Sequence, residues 1–188
     1  MKLRSRDLIV EVKQLDPADD DTGLARTWGT PDFPGKVRVD ERVRSLLSDG
    51  YPQIKQSAAG TRPAMIVVYN NAGPWNWIDS FAVSTAMFGS FGIVLSLEQD
   101  GSLAVTRHGY LGQRKVTKDS FRALSAVGVL KRNRITAVTL ECYHNPFARV
   151  RIAPRELKAL ALSQYTHSNP HARGFIPWEP KKLEIAAS

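Results

Sequence analysis

Asp7-Leu-Ile-Val-Glu-Val-Lys-Gln-Leu15 is the stretch that decides how this chain is read. An apolar, β-branched run of this length reads as a strand, and Glu11 and Lys13, two residues apart, then project from the same face. Charge inside such a run costs free energy unless it is paired, bound to a metal or placed at an open edge. A carboxylate beside an ammonium on one strand face suits metal-dependent phosphodiester cleavage. Glu11 would hold a hard divalent cation, Mg²⁺ or Mn²⁺, with the Val12 carbonyl as a further ligand. Lys13 would orient the attacking water or neutralise phosphate charge. The other reading is an edge strand that carries an ion pair. Glu-x-Lys occurs three times, at 11–13, 156–158 and 179–181, and only the first lies in a strand pattern. The second falls in a helical pattern, where i and i+2 do not face each other, and the third contains a proline.

Working outward, 188 residues suit one domain with a full core, and 43% hydrophobic against 23% charged residues makes it globular rather than disordered. No apolar run approaches a membrane span, and Met1-Lys-Leu-Arg-Ser-Arg-Asp7 lacks the apolar stretch of a signal peptide, so the expected compartment is the cytoplasm, with no membrane partner. Cys142, the single cysteine, excludes an intrachain disulfide and a thiolate zinc cluster. Its strand-like surroundings make it a small buried apolar residue.

The net charge of +8 is unevenly placed. Residues 107–158 hold 12 Lys/Arg against 3 Asp/Glu, a net of +9, whereas residues 1–106 are at −2 and the remainder at +1. That segment fits a polyanion-binding face, with Arg114, Lys115, Lys131, Arg132, Arg134, Arg149 and Arg151 as the candidate nucleic-acid contacts. A solvated basic surface without a ligand is the alternative.

The acidic, turn-rich stretch from Asp16 to about Lys36 lacks the glycine and glutamate spacing of a calcium loop and reads as solvated. Asp40 reads as an N-cap, followed by a Val43, Leu46, Leu47 stripe, with Pro52 bending or restarting the helix. Residues 63–69 form a continuous apolar run of the central-strand kind. Residues 78–88 read as an apolar helix closed by Gly89. Strands at 92–97 and 103–106 flank Gln99-Asp100-Gly101 as a hairpin, and 124–130 with 137–143 form a second strand pair. Pro154 starts a helix running to about Tyr165. Trp75 and Trp77 read either as core caps or as base-stacking residues.

This order predicts an α/β fold with a central mixed β-sheet flanked by helices, in one domain over 1–166 with an irregular tail over 167–188. The strands at 9–15 and 64–69 are expected in the middle of the sheet. A doubly wound nucleotide-binding sheet is the alternative.

Asn70-Asn-Ala-Gly73 after a strand resembles the motif of short-chain dehydrogenases, but the Tyr51-x-x-x-Lys55 pair precedes it and no Gly-rich turn follows the first strand, so that family is rejected. The strand bearing Glu11-Val12-Lys13, then a helix, then a buried strand resembles the PD-(D/E)xK nuclease superfamily, with its restriction-endonuclease-like fold. Leu124-Ser-Ala-Val127 and Tyr143-His-Asn-Pro-Phe-Ala148 are similar to the end of bacterial proteins of that group. The resemblance implies a divergent Mg²⁺-dependent nuclease acting on nucleic acid, DNA first, with Glu11 as metal ligand, Lys13 beside the nucleophile and Gln53 facing the metal from the helix. The second carboxylate would come from Asp7, from Asp79 or Asp32, or from a strand upstream. Asp7 shares a strand face with Glu11, yet at the rise of a strand their Cα atoms stand about 13 Å apart. The competing expectation is a nuclease-like module that binds nucleic acid or protein without catalysis. A second copy of the chain is a further expected partner.

Overall fold

A computed structural model describes residues 7–16, 39–71, 78–112, 114–132, 138–160, 163–167 and 181–183. Its elements in chain order are β1 (Ile9–Leu15), α1 (Val39–Ala58), β2 (Ala64–Asn70), α2 (Ser80–Phe88), β3 (Ser90–Leu97), β4 (Leu103–Leu111), β5 (Ala126–Arg132) and β6 (Val138–His144). A 3₁₀ helix (Pro154–Leu160), β7 (Ser163–Thr166) and β8 (Lys181–Lys182) follow. Six strands form one mixed sheet in the order β1-β2-β5-β6-β7-β8, and β3 with β4 forms a separate two-stranded sheet. The protein is therefore α/β, with a mixed central sheet flanked by helices.

β2 is buried on both faces from Ala64 to Val68, which explains its unbroken apolar sequence. It pairs parallel with β1 on one side and β5 on the other. One face carries Ala64, Ile66, Val68, Val127 and Val129 beneath Val43, Leu47 and Ile54 of α1 and Val83 and Met87 of α2. The opposite face carries Met65, Val67, Ala126 and Cys142 beneath Leu157 of the 3₁₀ helix. β6 and β7 are parallel to each other but opposed to β5. A single hand for every crossover therefore requires the β6–β7 connection to pass on the face away from α1 and α2, which is where Leu157 lies.

Five expectations change. β1 pairs only with β2 among the described residues, so it lies at an edge of the sheet and not in its middle. Asp40 lies in the first turn of α1, where it pairs with Arg44 at 3.7 Å, because the helix already begins at Val39. α1 runs through Pro52 without restarting. The helix expected from Pro154 to Tyr165 stops at Leu160, since Ser163–Thr166 pairs parallel with β6, and the expected irregular tail supplies β8 against β7. The hairpin, the second strand pair and α2 begin and end within two residues of the expected bounds, except that β4 runs on past Thr106 to Leu111. In α2, Asp79 caps the N-terminus and Gly89, at φ 96°, the C-terminus, a conformation that favours glycine. Among the described residues no helix is long and apolar enough to cross a membrane.

Candidate functional site: two sheet ion pairs and a basic cleft

Glu11 and Lys13 do share a face of β1, and it is the face covered by α1. Lys13 Nζ stands 3.1 Å from Glu11 Oε1, and both side chains are half-buried. The helix comes close because Gly50 lies over the pair. A Cβ there would meet Lys13 Cε and Ile66 Cδ1 at 3.2 Å. Glycine inside a helix costs roughly 0.5–1 kcal/mol relative to alanine, so close approach is the structural return for it here. Gln53, expected to face this pair, is exposed, since α1 turns Gly50 and Ile54 toward the sheet.

The three carboxylates of the expected metal site do not converge. Asp7 is exposed, two residues before β1. Asp79 is occupied as the α2 cap, its Oδ1 accepting from Ala82 N at 2.7 Å. Its charge is felt at Tyr143, whose phenol is pushed well up first by burial, then by Glu141 and in part by Asp79. Tyr143 lies in the same register row as Glu11 but three strands away, through Ile66 and Val127. At the spacing of neighbouring strands that is about 14 Å. Among the described residues no group of three or more His, Cys, Asp or Glu is placed to hold a metal ion. A lone carboxylate with an ammonium at 3.1 Å is a poor donor set for a divalent cation. Asp32, Trp75 and Trp77 lie outside the described residues.

A second glutamate–lysine pair, not expected from the sequence, crosses β5 and β6 on the same sheet face. Lys131 Nζ donates to Glu141 Oε2 at 2.8 Å, and the buried Tyr143 hydroxyl donates to the same oxygen at 2.8 Å. Tyr143 also stacks on Tyr165, with ring centroids 4.9 Å apart.

The basic residues of 107–158 do not form one continuous face. Lys131 is neutralised by Glu141. Arg149 lies over Gly60, and Arg151 donates to Pro146 O at 2.8 Å, so both sit where β5 begins and β6 ends, at the far end of that strand pair from Lys131. Arg132 ends β5, and Arg134 lies outside the described residues. Arg114 and Lys115 instead meet the first half of α1. With Arg44, Glu41, Ser45 and Ser48 they line a cleft of about 490 Å³. The backbone of Lys115 is held by Met87 O at 3.2 Å and that of Val116 by the same carbonyl at 2.8 Å. Arg114 donates to Tyr110 O at 2.7 Å, and buried Arg44 to Thr85 O at 2.9 Å. Among the described residues no carboxylate lies within ion-pair distance of Arg114 or Lys115, and the Arg114 guanidinium is opposed by the Tyr110 carbonyl rather than by charge.

A second cavity, of about 590 Å³, is bordered by His144, Arg151, Thr166 and His167. Its polar walls are already engaged in holding the fold. Ser125 Oγ accepts from Ala64 N at 2.9 Å and donates to Val150 O at 2.6 Å, while Asn145 Nδ2 donates to Leu124 O at 2.7 Å. Gln164 Nε2 donates to Pro154 O, which turns its Oε1 to His144 Nε2 at 2.7 Å. His144 therefore carries its proton on Nε2, and burial lowers its pKa. His167 Nε2 stands 2.9 Å from Ser84 Oγ, and burial lowers its pKa to about 4. Cys142 is buried, with its thiol pushed up to about 12, as its apolar reading required. No protein-family model, curated protein or solved structure matches the chain.

Proposed function

We propose that this protein binds nucleic acid, DNA first, by seating backbone phosphate in the cleft between α1 and the segment that follows β4. The observation that carries this reading is the placement of Arg114 and Lys115 on one concavity of about 490 Å³ that Glu41, Arg44, Ser45 and Ser48 complete, Arg44 being already paired with Asp40. The Arg114 guanidinium, held by the Tyr110 carbonyl, is preorganised for phosphate oxygens, and the affinity that such cations give falls steeply with salt. The chain is taken as a nuclease-like module that binds without cutting. The order β1–α1–β2, with Glu11 and Lys13 on β1, supports a divergent restriction-endonuclease-like scaffold.

The test is anisotropy of a labelled DNA duplex with Arg114→Glu/Lys115→Glu beside Lys131→Glu. The cleft variant is expected to weaken binding at least about thirtyfold, since each lost phosphate contact removes a counterion-release contribution. Lys131→Glu, which alters a neutralised pair, changes binding less than about threefold. Equal losses in both variants would contradict the assignment. A hydrolytic reading rests on one observation, the Glu11–Lys13 pair at 3.1 Å beneath Gly50. It predicts Mg²⁺- or Mn²⁺-stimulated cleavage that Glu11→Gln abolishes. Absence of cleavage by the wild type under conditions where it binds leaves the binding module alone.

A further inference from the structure

The β3–β4 hairpin is not hydrogen-bonded to the six-stranded sheet. At its base Phe91 faces Tyr110 across the pair, and both pack on the core, their rings 5.6 Å apart and edge-on. With His108 opposite Ile93 and Thr106 bulging β4 just beyond it, that face continues outward in five apolar residues, Ile93, Leu95 and Leu97 on β3, Val105 opposite Leu95 and Leu103 opposite Leu97. All five are exposed, from 51% at Leu95 to 73% at Leu97. The other face presents Gly92, Val94, Ser96 and Ala104. The hairpin is thus an arm that leaves the core while keeping a core-like face, and an isolated two-stranded ribbon of this kind is marginal in water.

We infer that this arm is a self-association surface, on which two copies of the chain stack their Ile93, Leu95, Leu97, Leu103 and Val105 faces across a two-fold axis. Three observations select a second copy. The five side chains expose on the order of 500 Å² of aliphatic surface, near the upper end for the largest patch on a monomer. Doubled across a two-fold, that gives about 1,000 Å², the lower bound of a specific interface. On β3 this face carries no ionisable side chain, and on β4 it includes His108 opposite Ile93 but no Lys, Arg, Asp or Glu, so a chain of net charge +8 brings no lysine or arginine of the two ribbon faces together by stacking them. Finally, an antiparallel stack sets the acidic turn of one arm, Glu98 and Asp100, toward the base of the other, where the chain continues into Arg114 and Lys115. Two such arms make a four-stranded, two-layer sandwich from ribbons that are each marginal alone.

Sedimentation equilibrium of the full chain from about 1 to 100 μM tests this, over the range where interfaces of this size associate. The wild type is expected to reach twice its 20.9 kDa. Leu95→Arg and Leu97→Arg should each raise the dissociation constant at least about hundredfold with unchanged far-UV circular dichroism, because neither side chain supports the core. Val94→Arg, on the opposite face, should leave the dimer intact. In the wild type, amide exchange along β3 and β4 should slow as concentration rises, which reads the same surface without a substitution. A wild type that stays monomeric at the highest concentration, exchange independent of concentration, or dissociation by Val94→Arg equal to that by Leu95→Arg would each overturn the inference.

Discussion

Glu11–Lys13 and Glu141–Lys131 are the same chemical pair on the same sheet face, held in different ways. The first joins positions i and i+2 of one edge strand at 3.1 Å, with Gly50 of α1 above it. The second is a diagonal pair across β5 and β6 at 2.8 Å, and its carboxylate also receives the hydroxyl of buried Tyr143. Removing Glu11 leaves a half-buried ammonium near the sheet edge, which can turn toward water. Removing Glu141 leaves Lys131 and a buried hydroxyl without their shared acceptor. In both pairs the cation is already opposed by a carboxylate, so neither lysine is well placed to recruit phosphate. Arg114 and Lys115 have no carboxylate within ion-pair distance among the described residues, although Glu41 lines the same cleft, and that difference is why the proposed polyanion site is the cleft and not the sheet.

The comparison is sharpest in stability. Glu141→Ala is expected to cost about 2–3 kcal/mol in urea unfolding, chiefly from the buried Tyr143 hydroxyl left without an acceptor. A loss below about 1 kcal/mol would place the two pairs in the same class.

Next in size is a pH effect that neither pair explains. His167 is neutral in the fold, with its pKa lowered by burial to about 4 from an ordinary 6.5. Between these values the unfolded chain binds the extra proton, so stability is full above about pH 6.5 and falls as pH falls toward 4. From pH 7 to pH 5 the loss is about 2 kcal/mol from this group. His167→Gln should flatten that slope, and an unchanged slope would assign it to other groups. The smallest effect is at the edge. Glu11→Ala should cost less than about 1 kcal/mol, as for most ion pairs near solvent. A loss as large as that of Glu141→Ala would mean that α1 depends on the pair and that Gly50 does not stand alone in seating the helix.

What was legible in the sequence follows from how local each signal is. The unbroken apolar run at 64–68 marked a doubly covered strand, Gly89 marked the end of α2, and Gln99-Asp100-Gly101 marked the hairpin turn, whereas Asp79, read as a metal ligand, caps the start of α2. Each lies within a few residues of the structure it specifies. The edge position of β1 was not legible, because pairing order is set by crossovers that periodicity does not report. Nor was β7: Ser163–Thr166 has too little pattern to signal a strand, and its place comes from pairing with β6 and from buried Gln164. The same limit governs the site. Arg114 and Lys115 stood out by charge density, but Arg44 lies 70 positions upstream in a segment of net negative charge, and only the packing of α1 against the end of α2 joins them. Lys131 and Glu141 are ten residues apart, a separation meaningful only once the β5–β6 register is known.

The salt dependence of DNA binding by the wild type is the most direct measurement of the central claim. With Arg114 and Lys115 engaging phosphate, the logarithm of the association constant should fall linearly with the logarithm of salt concentration, with a slope of about −2. Arg114→Glu/Lys115→Glu should bring that slope close to zero. A steep slope that survives this double substitution would contradict the account, since it would place the phosphate contacts somewhere other than the cleft.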